Sequence, residues 1–478
     1  MKYIKFLSAG VLILFLASCS KKTMDSINRD LNDPTDVPAA NILPSAIVST
    51  VFGTAGTDLA WYSSVYTEQS AGVDEQFYDA DRRNGITASS LMDNVWNSTY
   101  NNLGVLKDII SRTSSGGSNP SPAMLGIAQV LTAYNLAIVT DMWGDVPWSD
   151  ALKGSGNVHP KYDKQQDVYT AIFGLLNNAI ANLSGSNGSA FASEDLIYGG
   201  NTSNWLKAAW SLKARYFMHL ERVVPTAIDS VLACIPKGFT SGSNAFIFSK
   251  YENTQIGSNP WFDFTYMERG DFCAGATLYN LMESRNDPRI QMYFVPIDNN
   301  GDIVPAPNGT SDRTRAGNGE YSYSNITAGS EADATVPTPL MTYHELLFLE
   351  AEALARKGQS FTAVLQQAIE ANFVFHGLTI GEADNYYTTE VAPRLGTTMA
   401  ENLQEILTQK YIGMYEQESI EVYNDVRRNG IPTMNNPNNN LSSFGFPERF
   451  PYASSEVTSN PQNVPTVNIF KDKIWWDQ

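Results

Sequence analysis

The sequence predicts an all-α protein for the most part: antiparallel helical pairs interrupted by an irregular, loop-rich region. Three observations predict this. Apolar residues recur at three-to-four spacing over long stretches on both sides of the chain centre. Ser, Pro, Gly and Asn interrupt those stretches where helices start and stop. Between about 236 and 337 the periodicity lapses into a Gly-, Asn-, Asp- and Pro-rich region with interspersed aromatics.

The chain opens on Met1-Lys2-Tyr3-Ile4-Lys5, a positive start, and continues apolar from Phe6 to Leu16. That run is shorter than the roughly 20 residues needed to span a bilayer. It fits a secretory signal peptide over 1–18. Leu16-Ala17-Ser18-Cys19 puts small residues before a cysteine, as in a bacterial lipobox, so Cys19 is expected to be the acylated first residue of the mature chain. Residues 19–41 read as a lipidated linker, with Asn32-Asp33-Pro34 and Val37-Pro38 as turn formers. No later segment reads as apolar enough to cross a membrane, which leaves lipid as the expected anchor.

A single domain is expected over 42–478: helical over 42–235, irregular over about 236–337, helical over 338–432, with a wrapping tail over 433–478. Leu91, Val95, Leu103, Leu106 and Ile110 form one apolar face across 89–111. After the loop 114–120, Ser121-Pro122 supplies an N-cap and a proline at the first helical position. Met124, Ile127, Leu131, Leu136 and Val139 carry that helix to about residue 140. Further helices are expected over 165–183, 203–222, 342–357, 361–376 and 400–415. A short one near 417–428 is stopped by Gly430-Ile431-Pro432. The pairs resemble tetratricopeptide units in length, without the strict 34-residue signature.

Bulk composition narrows the function. The formal charge is −18, and an acidic chain repels polyanions, so nucleic acid is not an expected partner. Aromatics make up 11% of the chain and belong either in a core or on a binding surface. Besides Cys19 there are only Cys234 and Cys273. They could pair in an oxidising compartment, and spacing leaves that open.

Several segments, in order, resemble the SusD/RagB family. The first is Ala133-Tyr134-Asn135-Leu136 followed by Thr140-Asp141-Met142-Trp143-Gly144-Asp145-Val146-Pro147-Trp148. The second is Thr342-Tyr343-His344-Glu345-Leu346-Leu347-Phe348-Leu349-Glu350-Ala351-Glu352-Ala353. The third runs from Lys410-Tyr411 to Glu421-Val422-Tyr423-Asn424-Asp425-Val426-Arg427-Arg428-Asn429-Gly430. The fourth is Arg449-Phe450-Pro451-Tyr452 with Glu456 and Asn460-Pro461. With the lipobox they cover nearly the whole chain. The resemblance implies a tetratricopeptide-like helical-pair superhelix with an irregular, loop-rich subdomain packed on it, and a nutrient-binding role on the outer membrane. It also implies a SusC-like TonB-dependent transporter as partner, with an oligosaccharide, or sometimes a peptide, as ligand. The motif residues themselves read as scaffold. Asp141, Trp143 and Asp145 close a turn, Glu350 and Glu352 sit at helix–helix contacts, and Arg427 and Arg428 bind carbonyls or carboxylates.

Catalytic signatures are missing. There is no G-x-S-x-G elbow, no P-loop and no G-x-G-x-x-G turn. His344-Glu345 opens like H-E-x-x-H, but Phe348 stands where the second metal ligand belongs. The four histidines, 159, 219, 344 and 376, have no paired spacing. Asp79/Asp81 or Asp141/Asp145 could bind calcium through hard oxygen ligands, but no EF-hand spacing appears and solvated surface is the favoured explanation. No enzyme activity, metal or cofactor is therefore expected. The alternatives are a helical-repeat scaffold that binds proteins or peptides, and, behind it, a surface glycoside hydrolase with two well-placed carboxylates.

A glycan pocket needs flat rings against C–H faces and a few amides or carboxylates for the hydroxyls. Two segments outside the clearest helices combine them. One holds Trp61, Tyr62, Tyr66, Gln69, Phe77, Tyr78 and Arg82, with Trp96 as a further member. The other holds Asn259, Trp261, Tyr266 and Arg269. Core packing is the competing explanation for each ring, and either arginine could instead meet a carboxylate on an acidic sugar or peptide terminus.

Overall fold

Several helices start where the sequence supplies a capping side chain, among them those beginning after Ser121, Asn201, Thr342 and Thr398. The computed structural model describes residues 37–478 apart from 88, 255, 299, 316–321, 328–332, 417 and 442–443. The signal peptide, Cys19 and most of the linker therefore lie outside the described residues. Helix α1 (Ala39–Thr50) begins after Pro38, inside the stretch expected to be linker, because Leu43, Ala46 and Ile47 are buried in the core. Next come α2 (Asp58–Tyr66) and α3 (Glu75–Asp81), then α4 (Asp93–Thr113), a few residues later than expected because 89–92 forms a 3-10 turn.

Helix α5 (Pro122–Trp143) is the axis of the N-terminal half. Ser121 Oγ accepts the Met124 N–H at 3.3 Å, the expected cap. The helix runs past residue 140 to Trp143 and stops at Gly144, whose φ of 80° suits glycine. Contrary to expectation, α5 is long and apolar enough to cross a membrane: 22 residues with a mean hydropathy of 1.5. It is instead a core helix, since 94% of its apolar window is buried. Helices α6 (Gln165–Leu183), α7 (Thr202–His219) and α8 (Ala227–Cys234) follow, and α4 to α8 pack each on the next.

In the middle of the chain lie helix α9 (Ala276–Glu283) and short strands. Strand β1 (Ser70–Gly72) pairs antiparallel with β3 (Phe272–Ala274), and β2 (Phe246–Phe248) with β4 (Thr338–Met341). Each ladder ties the irregular region to a helical half. The C-terminal half holds α10 (Tyr343–Arg356), α11 (Thr362–Phe375), α12 (Ile380–Tyr386), α13 (Met399–Gly413) and α14 (Ser419–Asn429). Helices α10, α11 and α13 pack together, and α14 packs on α2. The tail, with its short helix α15 (Ser454–Ser459), returns across α5: the Phe450 N–H donates to the Met142 carbonyl at 2.9 Å, and the Trp143 indole donates to the Pro451 carbonyl at 2.8 Å.

A buried ionic layer joins the halves. The Arg215 guanidinium on α7 clamps Glu345 on α10. Arg428 on α14 donates to both oxygens of Glu352, at 2.6 and 2.7 Å. Burial alone would raise the Glu352 carboxyl, but Arg428 and then Arg356 outweigh it and hold it at about 2. Arg427 donates to the carbonyls of Asp141 and Glu448. Glu350 differs: it is half-buried and makes no ion pair among the described residues. Cys234 and Cys273 are both buried and unpaired, so the disulfide left open by the sequence does not form.

Candidate ligand-binding site

The two candidate segments, nearly two hundred residues apart, meet in one place. Ring centroids of Trp61 and Phe264 lie 4.4 Å apart, those of Tyr62 and Phe77 4.7 Å, and those of Trp261 and Phe272 5.6 Å. Phe77 bridges them, edge-on to Phe264 at 5.5 Å and to Phe272 at 5.1 Å. The β1–β3 ladder holds the segments in register, pairing Gly72 with Phe272.

Most of these rings face inward, which corrects the expectation that they stack on a ligand. Tyr62, Phe77 and Trp261 are fully enclosed, and a ring without an open face cannot cover a sugar. Tyr66 packs on Phe450 and Tyr423. Gln69 donates to the Tyr411 carbonyl at 2.8 Å. Asn259 is a cap: its Oδ1 accepts the Trp261 N–H at 2.8 Å. Trp96 packs in the same core on Trp143 and Tyr100.

Trp61, Tyr78, Arg82, Tyr266 and Arg269 reach the surface region. Trp61 is 8% exposed and its indole N–H has no hydrogen-bond partner. It lines a cavity of about 520 Å³ together with Phe52, Asp58, Asn94, Asn97 and Ser98. Asp58 stands three residues before Trp61 on α2, and Asn94 and Asn97 stand three apart on α4, so each pair shares a helix face. Burial raises the Asp58 carboxyl to about 6. Asp58, Asn94 and Asn97 were not among the sequence candidates; the signal available was that i, i+3 spacing beside an aromatic.

Beyond the cavity lies a charged ledge. The Arg82 guanidinium lies 3.4 Å from the Tyr78 ring centroid and donates to the Ser311 carbonyl at 2.5 Å. Arg313 pairs with Asp74 and Glu75 and sits 5.7 Å from the same ring. Tyr266, 48% exposed, stacks on Phe262, and Arg269 lies 3.8 Å from Asp271. Burial, then Asp58 and Asp271, raise the Tyr62 hydroxyl, which places both acids beside the ring cluster. Chemically the region offers an indole edge, two amides, a poised carboxylate and arginines, a hydroxyl-binding set rather than a nucleophile with its base.

Metal-type ligands gather elsewhere. Among the described residues, Asp141, His219 and Glu421 have ligand atoms within 4.8 Å of one another. Hydrogen bonds already engage all three. His219 bridges the two acids, and Tyr169 and Trp476 donate to Asp141 Oδ1 at 2.5 and 2.8 Å. Asp145 takes its bonds from Lys164 and the Gln165 N–H, and Asp81 from the Gly309 N–H.

The sequence pattern of the SusD-like family, described as starch-binding associating with outer membrane, matches residues 32–453. A SusD/RagB family protein from Bacteroides thetaiotaomicron is 32% identical, with a TM-score of 0.83, over 92% of this chain and 99% of that one. A SusD homolog from Bacteroides uniformis is 22% identical (TM-score 0.76, 93% of this chain and 100% of that). A chitin-binding SusD homolog from Flavobacterium johnsoniae is 21% identical (TM-score 0.74, 91% and 98%). No curated protein matches. On the family match and the 32% identity over nearly the full length of both chains, this chain belongs to the SusD/RagB family.

Proposed function

We propose that the protein is a lipid-anchored surface receptor that captures oligosaccharides and delivers them to a SusC-like TonB-dependent transporter. One observation carries the choice of face: Trp61 lines a cavity that also holds Asp58, Asn94 and Asn97. An apolar ring beside convergent amides suits a sugar ring and its hydroxyls. The family's starch-binding description and the chitin-binding relative support a neutral glycan as ligand. Tyr78, Arg82, Tyr266 and Arg269 would extend the contact along the ledge. Binding and release, without turnover, is the chemistry this set performs.

A second reading, a scaffold that binds proteins, is favoured by one feature. Tyr343, Leu347, Val374, Phe375 and Ile380 line an apolar groove of about 410 Å³ on the C-terminal helices. Thermal denaturation against neutral oligosaccharides, acidic oligosaccharides and short peptides separates the readings. A ligand at 100 times its Kd adds about 2.7 kcal/mol, a shift of a few degrees for a protein of this size. The receptor reading expects that shift with a neutral oligosaccharide; a shift with none, beside co-purification of an envelope protein, favours the scaffold.

A further inference from the structure

A cavity of about 370 Å³ lies between the Gly144–Asp145 turn and the tail, lined by Arg449, Tyr452, Lys164, Lys473 and Trp475 among others. Arg449 is only 7% exposed. Its Nη2 donates to the Tyr452 hydroxyl at 2.9 Å and its Nε has no partner. Among the described residues no carboxylate pairs with it. Asp145 lines the same cavity but is held by Lys164 at 2.7 Å and by the Gln165 N–H at 3.0 Å. Lys473 lines it too, its ammonium shared between Asp477 at 3.5 Å and Glu448 at 4.0 Å. Gly144 is part of the construction: a Cβ there would stand 2.9 Å from Nη2 of Arg449.

A buried guanidinium without a counter-ion is uncommon, because buried charges are otherwise paired. It is more so in a chain of net charge −18. We propose that this cavity is an anion subsite, separate from the Trp61 face, that takes the carboxylate of an acidic sugar residue. A guanidinium fork matches the paired oxygens of a carboxylate. Lys473 flanks the charge, and the Trp475 and Tyr452 rings offer surface to the sugar's C–H face. The volume falls in the range of small-ligand pockets.

The test is calorimetric titration of the full chain in detergent with methyl glucuronide and with methyl glucoside, its neutral counterpart. Glucuronide binds at one site and glucoside does not compete for it. Arg449→Met weakens glucuronide binding by about tenfold to a hundredfold, and Trp61→Ala leaves it unchanged. Lys473→Met alters a side chain that is 42% exposed; it weakens binding about threefold and carries the test where Arg449→Met does not fold. Equal binding of the two glycosides, no glucuronide binding, or unchanged glucuronide affinity in every variant that folds overturns the proposal.

Discussion

Nε2 of His219 lies 2.9 Å from Oε2 of Glu421, 202 positions further along the chain. On the other side of the ring, Nδ1 lies 3.3 Å from Oδ2 of Asp141. One imidazolium thus joins α5, α7 and α14, and Trp476 of the tail caps Asp141 from above. Burial alone would lower the imidazole, but Glu421 and then Asp141 outweigh it and raise it to about 9.

The sign of the resulting pH dependence follows. The folded value is above the unfolded one of 6.5, so this stabilisation is complete below about pH 6.5 and is lost as pH rises through about 9. Melting temperature against pH is expected to fall across that window in the native protein. His219→Gln is expected to flatten the slope and to cost about 3 kcal/mol, because it leaves buried Asp141 without its cation and Glu421 with Arg215 alone, at 3.7 Å.

The Arg428–Glu352 clamp works on the acid side. Glu352 is held at about 2, below its usual 4.5, so its contribution is present above about pH 4.5 and is lost as pH falls through about 2. Glu352→Gln is expected to lower the denaturant midpoint by the equivalent of about 3–5 kcal/mol at pH 7, and to remove part of the acid-unfolding slope.

Helices were legible in the sequence because their caps and apolar periodicity are local. The expected stretch 165–183 matches α6 (Gln165–Leu183), and Ser121-Pro122 starts and Gly430 stops a helix where expected. Which aromatics face a ligand was not legible. Phe77 and Trp261 look like binding rings in sequence, yet β1–β3 pairing between distant segments folds them inward. Trp61 differs only because α2 and α4 leave a gap beside it, a tertiary fact. Arg427 and Arg428 do bond carbonyls and a carboxylate, as expected, but sequence could not show that Asp141, Glu448 and Glu352 supply them from elsewhere in the chain.

Gly144→Ala tests the turn of the first family motif. The residue has φ 80°, and a Cβ would meet the Arg449 guanidinium and Ile474. Destabilisation of about 1–3 kcal/mol is expected from denaturant titration, whereas Ala at the open mid-helix position Gly174 is expected to stabilise by about 0.5–1 kcal/mol.

The anchor is tested by cell fractionation. Cys19→Ala is expected to move the protein from the membrane to the soluble fraction, since acyl chains are the anchor this account invokes. Membrane association unchanged in that variant, without acylation, would remove the lipid anchor from the account.

The most direct measurement is calorimetric titration of native protein and Trp61→Ala with the neutral oligosaccharide that gives the thermal shift. The account predicts saturable one-site binding that weakens at least tenfold in Trp61→Ala, and in Asn97→Ala by a smaller factor, with both variants folded. Native affinity in a folded Trp61→Ala would contradict it and move the glycan site away from this face.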